Sequence, residues 1–532
     1  MTIRLFTILI GLSLSLSAGD MFAKGKTKRS AKKKRTPESE FYRLKKEFRK
    51  GKVGERRMWS ELGKIHRYSK TMSQKSRASL LQTQSYMLYN ADYPILASIY
   101  ASQAISLSKD HDANVLNRSW EILRRVSEDQ PIQNLLEVLA AKIDLKKGEA
   151  PSFGTDWNYF VGNAALKKGD RDTAVKHYKR IKLSDRYFFP GKYQQALIHY
   201  DQKDLNESLI SLKAILNPVS QSRSPLALDD KLMITDSARM ALARIFYEKK
   251  EFKNAIKLYR TVEKGSREYY DSLFEQSWAF FMAGYPNHAL GALHAVESPF
   301  FEEVFNPEAT VLRSIIHYWL CRYNDSRNAL ADFMDNHAKG VEQLGEFLDR
   351  SRLTAETSYQ LFENLVSGVS EKTLGIPRDV LSTAAEKDSM LLVRDQYASI
   401  IEEQRRLEKK GIFGTKKGLE TPKKYLEKWK LALRVDVGTN FLNELKALQA
   451  DYDRLYDQAQ FLYVELLMSE KEQLLGKELH ATSKINNVTN VDKIRGWGKK
   501  TQAWAGSKKD EYWWDEVGFY IYRVDSMCEL GQ

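Results

Sequence analysis

Few residues in this chain have the types and spacing that catalysis needs. The nine histidines are scattered, with no HExxH and no pair at a metal-ligand spacing. Gly19-Asp-Met-Phe-Ala-Lys-Gly25-Lys26-Thr27 approaches a phosphate-binding loop but holds one residue too many and follows no strand. Gly411, Gly414 and Gly418 do not match a dinucleotide fingerprint, and no Ser or Cys stands in a nucleophile elbow. The second half lacks the Glu-Ser segment of a lytic transglycosylase. These residues predict no catalytic site, no cofactor, no metal and no enzyme. The chemistry that remains is recognition. Tyr159, Asn163, Tyr193, Tyr200, Arg244, Tyr247, Phe274, Trp278, Phe281, Tyr318 and Trp319 fall on corresponding helix faces. Aromatic side chains and arginine dominate the energetics of protein interfaces.

What would line those side chains up is a repeat. Gly162, Ala174 and Tyr178 are followed 34 residues later by Ala196, Ser208 and Leu212. Ala243, Ala255 and Tyr259 are followed at the same step of 34 by Ser277, Ala289 and Leu293, and a longer step leads to Ser314, Ser326 and Leu330. Two small residues let neighbouring helices approach closely, and the large one fills the layer between them. Small, small, large at period 34 is the tetratricopeptide (TPR) pattern. Helical stretches flank Gly169-Asp170, as a helical hairpin requires. The eleven recognition residues then lie on the inner faces of the first helices, in one concave groove. Apart from Asn163, the groove lacks the basic clamp used for a terminal carboxylate, so an extended or helical partner segment fits better. The same rings could instead pack against the chain's own C-terminal half.

The fold class expected is all-α: a TPR helical-hairpin solenoid, then a long coiled-coil-like helical hairpin and an aromatic-rich C-terminal segment. Only 12 prolines and 28 glycines in 532 residues, with 42% hydrophobic residues, suit helices around buried cores. Residues 1–19 read as a signal peptide: Arg4, an apolar run from Leu5 to Leu16, then small residues for cleavage near Ala18 or Gly19. An uncleaved signal anchor is the alternative. Residues 20–60 read as a basic, largely disordered linker. Lys24, Lys26, Lys28, Arg29, Lys32, Lys33, Lys34 and Arg35 supply eight of the net +15 charges without an acid among them. Behind an export signal such a segment would meet anionic lipid or cell-wall polymer, or simply be solvated, and nucleic acid is not expected.

Residues 61–150 read as a degenerate N-terminal helical extension, 151–337 as the repeats, and 338–532 as the C-terminal region. Pro218, Pro225 and several serines place a loop at Asn217–Lys231. Within the C-terminal region, Phe441, Leu445, Leu448, Tyr452, Leu455, Ala459, Leu462 and Leu466 alternate spacings of 4 and 3, a heptad seam. Met390, Val393, Tyr397, Ile400 and Leu407 form a weaker seam, and Gly411–Pro422 separates the two. The expectation is a hairpin over about 388–475 in which the seams zip together, with a homodimeric coiled coil as the competing arrangement. The closing aromatics, Trp497, Trp504, Tyr512, Trp513, Trp514, Phe519, Tyr520 and Tyr522, must dock on the chain itself or on a partner. Cys321 and Cys528 cannot form a disulfide framework. One bridge is compatible with them, and two free thiols, Cys321 buried, is the expectation.

Phe274-Glu-Gln-Ser-Trp278-Ala-Phe-Phe-Met-Ala-Gly284 with His288-Ala289, Ser298-Pro-Phe-Phe301, Pro307-Glu-Ala309 and Leu320-Cys-Arg-Tyr323 resembles the periplasmic TPR proteins associated with adventurous gliding motility in gliding and predatory bacteria. The heptad hairpin and Glu511-Tyr-Trp-Trp-Asp-Glu-Val-Gly-Phe-Tyr520 are similar too. The resemblance implies a non-enzymatic periplasmic scaffold of a motility or surface machine, whose partners are other envelope proteins. It transfers no catalytic or cofactor residue. The other class of function in view is an accessory that binds or processes peptidoglycan.

Overall fold

Helices account for most of the described backbone. The computed structural model describes residues 37–55, 57–60, 72–108, 113–142, 156–302, 304–409, 420–475, 502–504 and 512–528. The expected signal peptide, the polybasic run, the Gly411–Pro422 linker up to 419 and Trp497 lie outside them. In chain order the helices are α1 (Pro37–Arg49), α2 (Gln74–Asn90), α3 (Pro94–Ser108), α4 (Ala113–Asp129), α5 (Gln133–Lys142), α6 (Asp156–Lys167) and α7 (Arg171–Tyr178). They continue with α8 (Phe188–Asp201), α9 (Leu205–Leu216), α10 (Pro218–Arg223), α11 (Leu228–Glu248), α12 (Phe252–Tyr259), α13 (Tyr269–Met282), α14 (Pro286–Val296), α15 (Pro307–Trp319) and α16 (Tyr323–Phe333). The last are α17 (Lys339–Ser351), α18 (Ala355–Val366), α19 (Glu371–Leu374), α20 (Arg378–Ala385), α21 (Asp388–Lys409) and the 55-residue α22 (Glu420–Leu474). Two short strands, β1 (Gln502–Trp504) and β2 (Tyr520–Tyr522), pair in parallel. No helix among the described residues is long and apolar enough to cross a membrane.

One local device recurs in six helix pairs. A residue with positive φ ends the first helix five positions before a small residue of the second: Asp92 before Ala97, Gly169 before Ala174, Lys203 before Ser208, Lys250 before Ala255, Gly284 before Ala289 and Cys321 before Ser326. The next amide, from Tyr93, Asp170, Asp204, Glu251, Tyr285 or Arg322, donates to the carbonyl five residues back at 2.8–3.0 Å. This left-handed closure satisfies carbonyls that the helix end would otherwise leave bare. Asp170 and Asp204 then start the second helix by accepting the Thr173 and Glu207 amides at 3.0 and 3.2 Å.

Packing follows from residue size. All fifteen positions of the small-small-large pattern are buried. At Gly162 a Cβ would sit 2.5 Å from the Tyr178 ring, so the bulk of one residue requires the absence of the other. Serines at the crossing find partners on the facing helix: Ser208 Oγ donates to the Ala196 carbonyl at 2.9 Å and Ser314 Oγ to the Ser326 carbonyl at 2.9 Å. The same geometry holds in the α2–α3 pair, where Ser85 Oγ donates to the Ala97 carbonyl at 2.7 Å.

The chain forms two compact units. The first takes Met1–Ile181, Thr354–Gln360 and Lys387–Phe441. Its centre is α3, buried from Ile95 to Ile105 on nearly every side chain, with Ser98 and Ser102 donating back to the Ile95 and Ile99 carbonyls. Helix α21 supplies Glu403, whose Oε2 and Oε1 accept the Ile95 and Leu96 amides at 2.7 and 2.8 Å. Helix α1 lies within the stretch expected to be a disordered linker. Its Phe41 and Leu44 are buried, and that apolar face holds it in place.

The second unit takes Lys182–Leu353, Leu361–Glu386 and Leu442–Gln532. The Asn217–Lys231 segment is largely helical rather than a loop: Asn217 Oδ1 accepts the Val219 amide at 2.9 Å and starts α10, and α11 begins at Leu228. Cys321 and Cys528 form a disulfide, with their Cα atoms 5.0 Å apart. The expectation of two free thiols fails because the described tail, 512–528, folds back onto α13–α16. Val517 and Tyr520 join the core there, and the Tyr520 carbonyl occupies the space a Cβ at Gly291 would need. The expected hairpin is also corrected in its pairing. Within the first unit α21 runs antiparallel to the start of α22: Gln404 donates to Glu427 at 2.8 Å and Asn440 to the Ser389 carbonyl at 3.3 Å. Leu426, Trp429, Leu433 and Val437 are the buried residues of that stretch. Of the later seam, Phe441 belongs to the first unit and Leu445 to Leu466 to the second. Leu455, Ala459 and Leu466 pack in the second unit against Val311, Tyr323, Leu330 and Phe333.

Candidate partner-binding face

The eleven residues expected in a groove divide between the units. Tyr159 and Asn163 belong to the first; Tyr193, Tyr200, Arg244, Tyr247, Phe274, Trp278, Phe281, Tyr318 and Trp319 belong to the second. None of the eleven is buried, and Arg244 and Trp319 are exposed. Asn163 works inside its own unit. Its amide nitrogen donates to Glu137 at 2.7 Å and its oxygen accepts the Tyr178 hydroxyl at 2.7 Å, so it ties α5, α6 and α7 together. It is not free to hold a partner's carboxylate.

In the second unit the first helices of successive pairs are laced by these side chains. Arg244 on α11 meets Glu275 on α13, with Nη2 donating to Oε1 at 2.6 Å and Nε to Oε2 at 2.9 Å. The Tyr259 hydroxyl donates to the same carboxylate at 2.9 Å. Trp278 Nε1 donates to Glu308 Oε1 on α15 at 3.1 Å. Burial pushes the Glu308 carboxyl above its usual range, and the charges of Asp451 and Glu275 push the same way. Tyr200 and Lys203 both engage Glu248, the lysine at 3.6 Å.

The aromatic run continues along this face. Trp278 lies edge-on to Phe281 at 6.4 Å, and Phe281 edge-on to Trp319 at 5.9 Å. Met282 beside them is 49% exposed and Trp319 38%. Tyr247 packs on Phe252 at 5.3 Å and borders the same cluster, as do Phe274 and Trp278. Tyr193 and Tyr200 border the cluster of α8, α9 and α11. Tyr318, expected to flank Trp278, turns away. Its hydroxyl is 3.0 Å from Ser469 Oγ on α22, and its ring lies 5.9 Å from Tyr323. Adjacent helical residues point about 100° apart, so Trp319 takes the place that Tyr318 vacates. Thus α22 covers one end of the aromatic face, and Phe281, Met282 and Trp319 stay at its surface.

Three carboxylates on this face were not singled out from the sequence: Glu275, Glu308 and Asp451. The step from Arg244 to Glu275 is 31 residues, near one repeat, and is the signal that points to the first of them. Among the described residues no cluster of His, Cys, Asp or Glu could hold a metal ion. The sequence matches no protein-family model, and it matches no curated protein.

Proposed function

We propose that this chain is a non-enzymatic protein–protein interaction scaffold of the TPR type, working in the periplasm. The observation that carries the reading is the repeated helix pair with its small residues buried at each crossing. Stacked helix pairs of this kind present extended faces to partners. The half-exposed run Trp278, Phe281, Met282 and Trp319 is the part of that face with the anchors of a binding interface.

The disulfide supports an oxidising compartment, in keeping with the export signal expected at the N-terminus. The likeness of the Phe274–Tyr323 stretch to gliding-motility TPR proteins favours a place in an envelope motility or surface machine. Affinity capture from the native envelope tests the reading. The wild-type chain should retain a defined partner set, and Phe281→Ala with Trp319→Ala should lose it while circular dichroism stays unchanged. Retention of the same partners by that variant would move binding off this face. A zymogram with purified protein separates the scaffold from a peptidoglycan-processing accessory: lysis would overturn the non-enzymatic reading.

A further inference from the structure

The first unit contains a cavity of about 710 Å³ between α1, α2 and α4. Its volume lies in the range of small-molecule sites. Helix α1 lines it with Lys45, Phe48 and Arg49, and α4 with Arg118 and Arg125. Against these four cations stands one carboxylate, Glu121. That carboxylate is already committed, since Arg124 and Arg125 both donate to it, at 3.0 and 2.9 Å. Lys45, Arg49 and Arg118 make no ion pair with any described residue; Lys45 lies only over the Phe41 ring at 5.8 Å. The three are close enough to feel one another. Burial and the charges of Arg49 and Arg118 hold the Lys45 ammonium below its usual range.

The floor is polar as well. Gln82 and Thr83 of α2 line the cavity and are 6% and 2% exposed, and Thr83 Oγ1 has no hydrogen-bond partner among the described residues. A buried hydroxyl without a partner among the described residues is unfavourable in the empty protein, and half-buried Lys45 and exposed Arg49 and Arg118 repel one another beside it. An anion would relieve both. Guanidinium groups take phosphate oxygens two at a time, and an ammonium adds a point charge. Phe48, Tyr86 and Met87 leave room along the wall for an apolar or aromatic body.

We propose that this cavity binds a phosphate-bearing anion, held by Arg49, Arg118 and Lys45 with Thr83 at its floor. The phosphate belongs either to a lipid headgroup or to a soluble phosphorylated compound. This site is separate from the aromatic face, and its failure would leave the scaffold reading standing.

The test uses the full chain, inorganic pyrophosphate followed by calorimetry, and vesicles of phosphatidylglycerol in phosphatidylcholine followed by co-sedimentation. The variant is Arg49→Gln with Arg118→Gln. Arg350→Gln with Arg454→Gln removes the same charge from exposed positions of the second unit. Saturable pyrophosphate binding that weakens by about tenfold or more in the cavity variant, and not in the control, supports a soluble phosphoanion. Loss confined to the anionic vesicles, again only in the cavity variant, supports a lipid headgroup. The cavity variant should melt no lower than wild type, because it relieves repulsion. If it does melt lower, Lys45→Gln replaces it as the readout. Equal binding of both probes by wild type, cavity variant and control overturns the proposal, and so does no binding by wild type.

Discussion

The two units close the same kind of helix pair by different means. In the first, the start of α3 is sealed by one carboxylate: Glu403 reaches the Ile95 and Leu96 amides from more than 300 positions away in sequence. In the second, α14 is sealed by main chain, with the Tyr520 carbonyl lying against Gly291, and the tail is fixed to the turn after α15 by the Cys321–Cys528 bridge. The first unit uses a titratable contact for this and the second a covalent one, so the two should respond to different perturbations.

The bridge carries the largest expected effect. It closes a loop of 207 residues, and removing a native disulfide typically costs ~2–5 kcal/mol. Cys321→Ser with Cys528→Ser should therefore raise amide exchange across α13–α16 and leave α2–α3 as in wild type. Equal loosening of both units would show that the closures are not independent. Next comes Gly438→Ala in the first unit. Its Cβ would fall on the Ala355 carbonyl, where both backbones are helical and cannot withdraw without losing packing. A cost of ~3 kcal/mol is expected from overpacking, seen as a lowered melting temperature. Gly291→Ala should displace the tail, since its Cβ would fall on the Tyr520 carbonyl.

Acidity should separate the units further. Burial pushes the Glu403 carboxyl from 4.5 up to about 8, against the pull of the Leu96 and Ile95 amides and Arg406, while Asp92 adds to the rise. The folded state then keeps a proton that the unfolded chain releases, so the first unit loses stability as pH rises from about 4.5 to about 8. In the second unit burial, with the charge of Arg260, lowers His288 to about 4. Burial also lowers His317 to about 4, where Arg313 and Arg322 assist and Asp325 opposes. Here the unfolded chain binds the extra protons, so stability is lost as pH falls from 6.5 toward 4. Amide exchange at pH 5 and pH 8 should show opposite trends in α3 and α14, and Glu403→Gln should flatten the first. Parallel trends would contradict the assignment. The smallest effect probes what the units share. Ser85→Ala and Ser208→Ala each remove one hydroxyl-to-carbonyl bond at a helix crossing, and both should cost ~1 kcal/mol in denaturant melts.

The crossings were legible in the sequence because their rule is local: Ala243, Ala255 and Tyr259 repeat at a fixed step and need no knowledge of distant chain. Ser85, Ala97 and Ala101 obey the same spacing and were open to the same reasoning. Glu403 was not legible, since nothing near it marks a contact with α3. The heptad seam could not choose its partner, because Leu445 to Leu466 is apolar enough to face any helix. The tail's aromatic content showed that it must dock, but not that Cys528 would arrive beside Cys321. At the aromatic face, the exchange of Tyr318 for Trp319 is one residue's rotation and depends on where α22 lies.

The face around Trp278, Phe281 and Trp319 is proposed to receive another protein. A photo-crosslinking amino acid at Met282, exposed beside those rings, tests it in intact cells. The expected result is a covalent adduct with a second envelope protein that disappears when Trp319→Ala is added. Adducts that persist in the Trp319→Ala background, or crosslinks only within the chain itself, would contradict it.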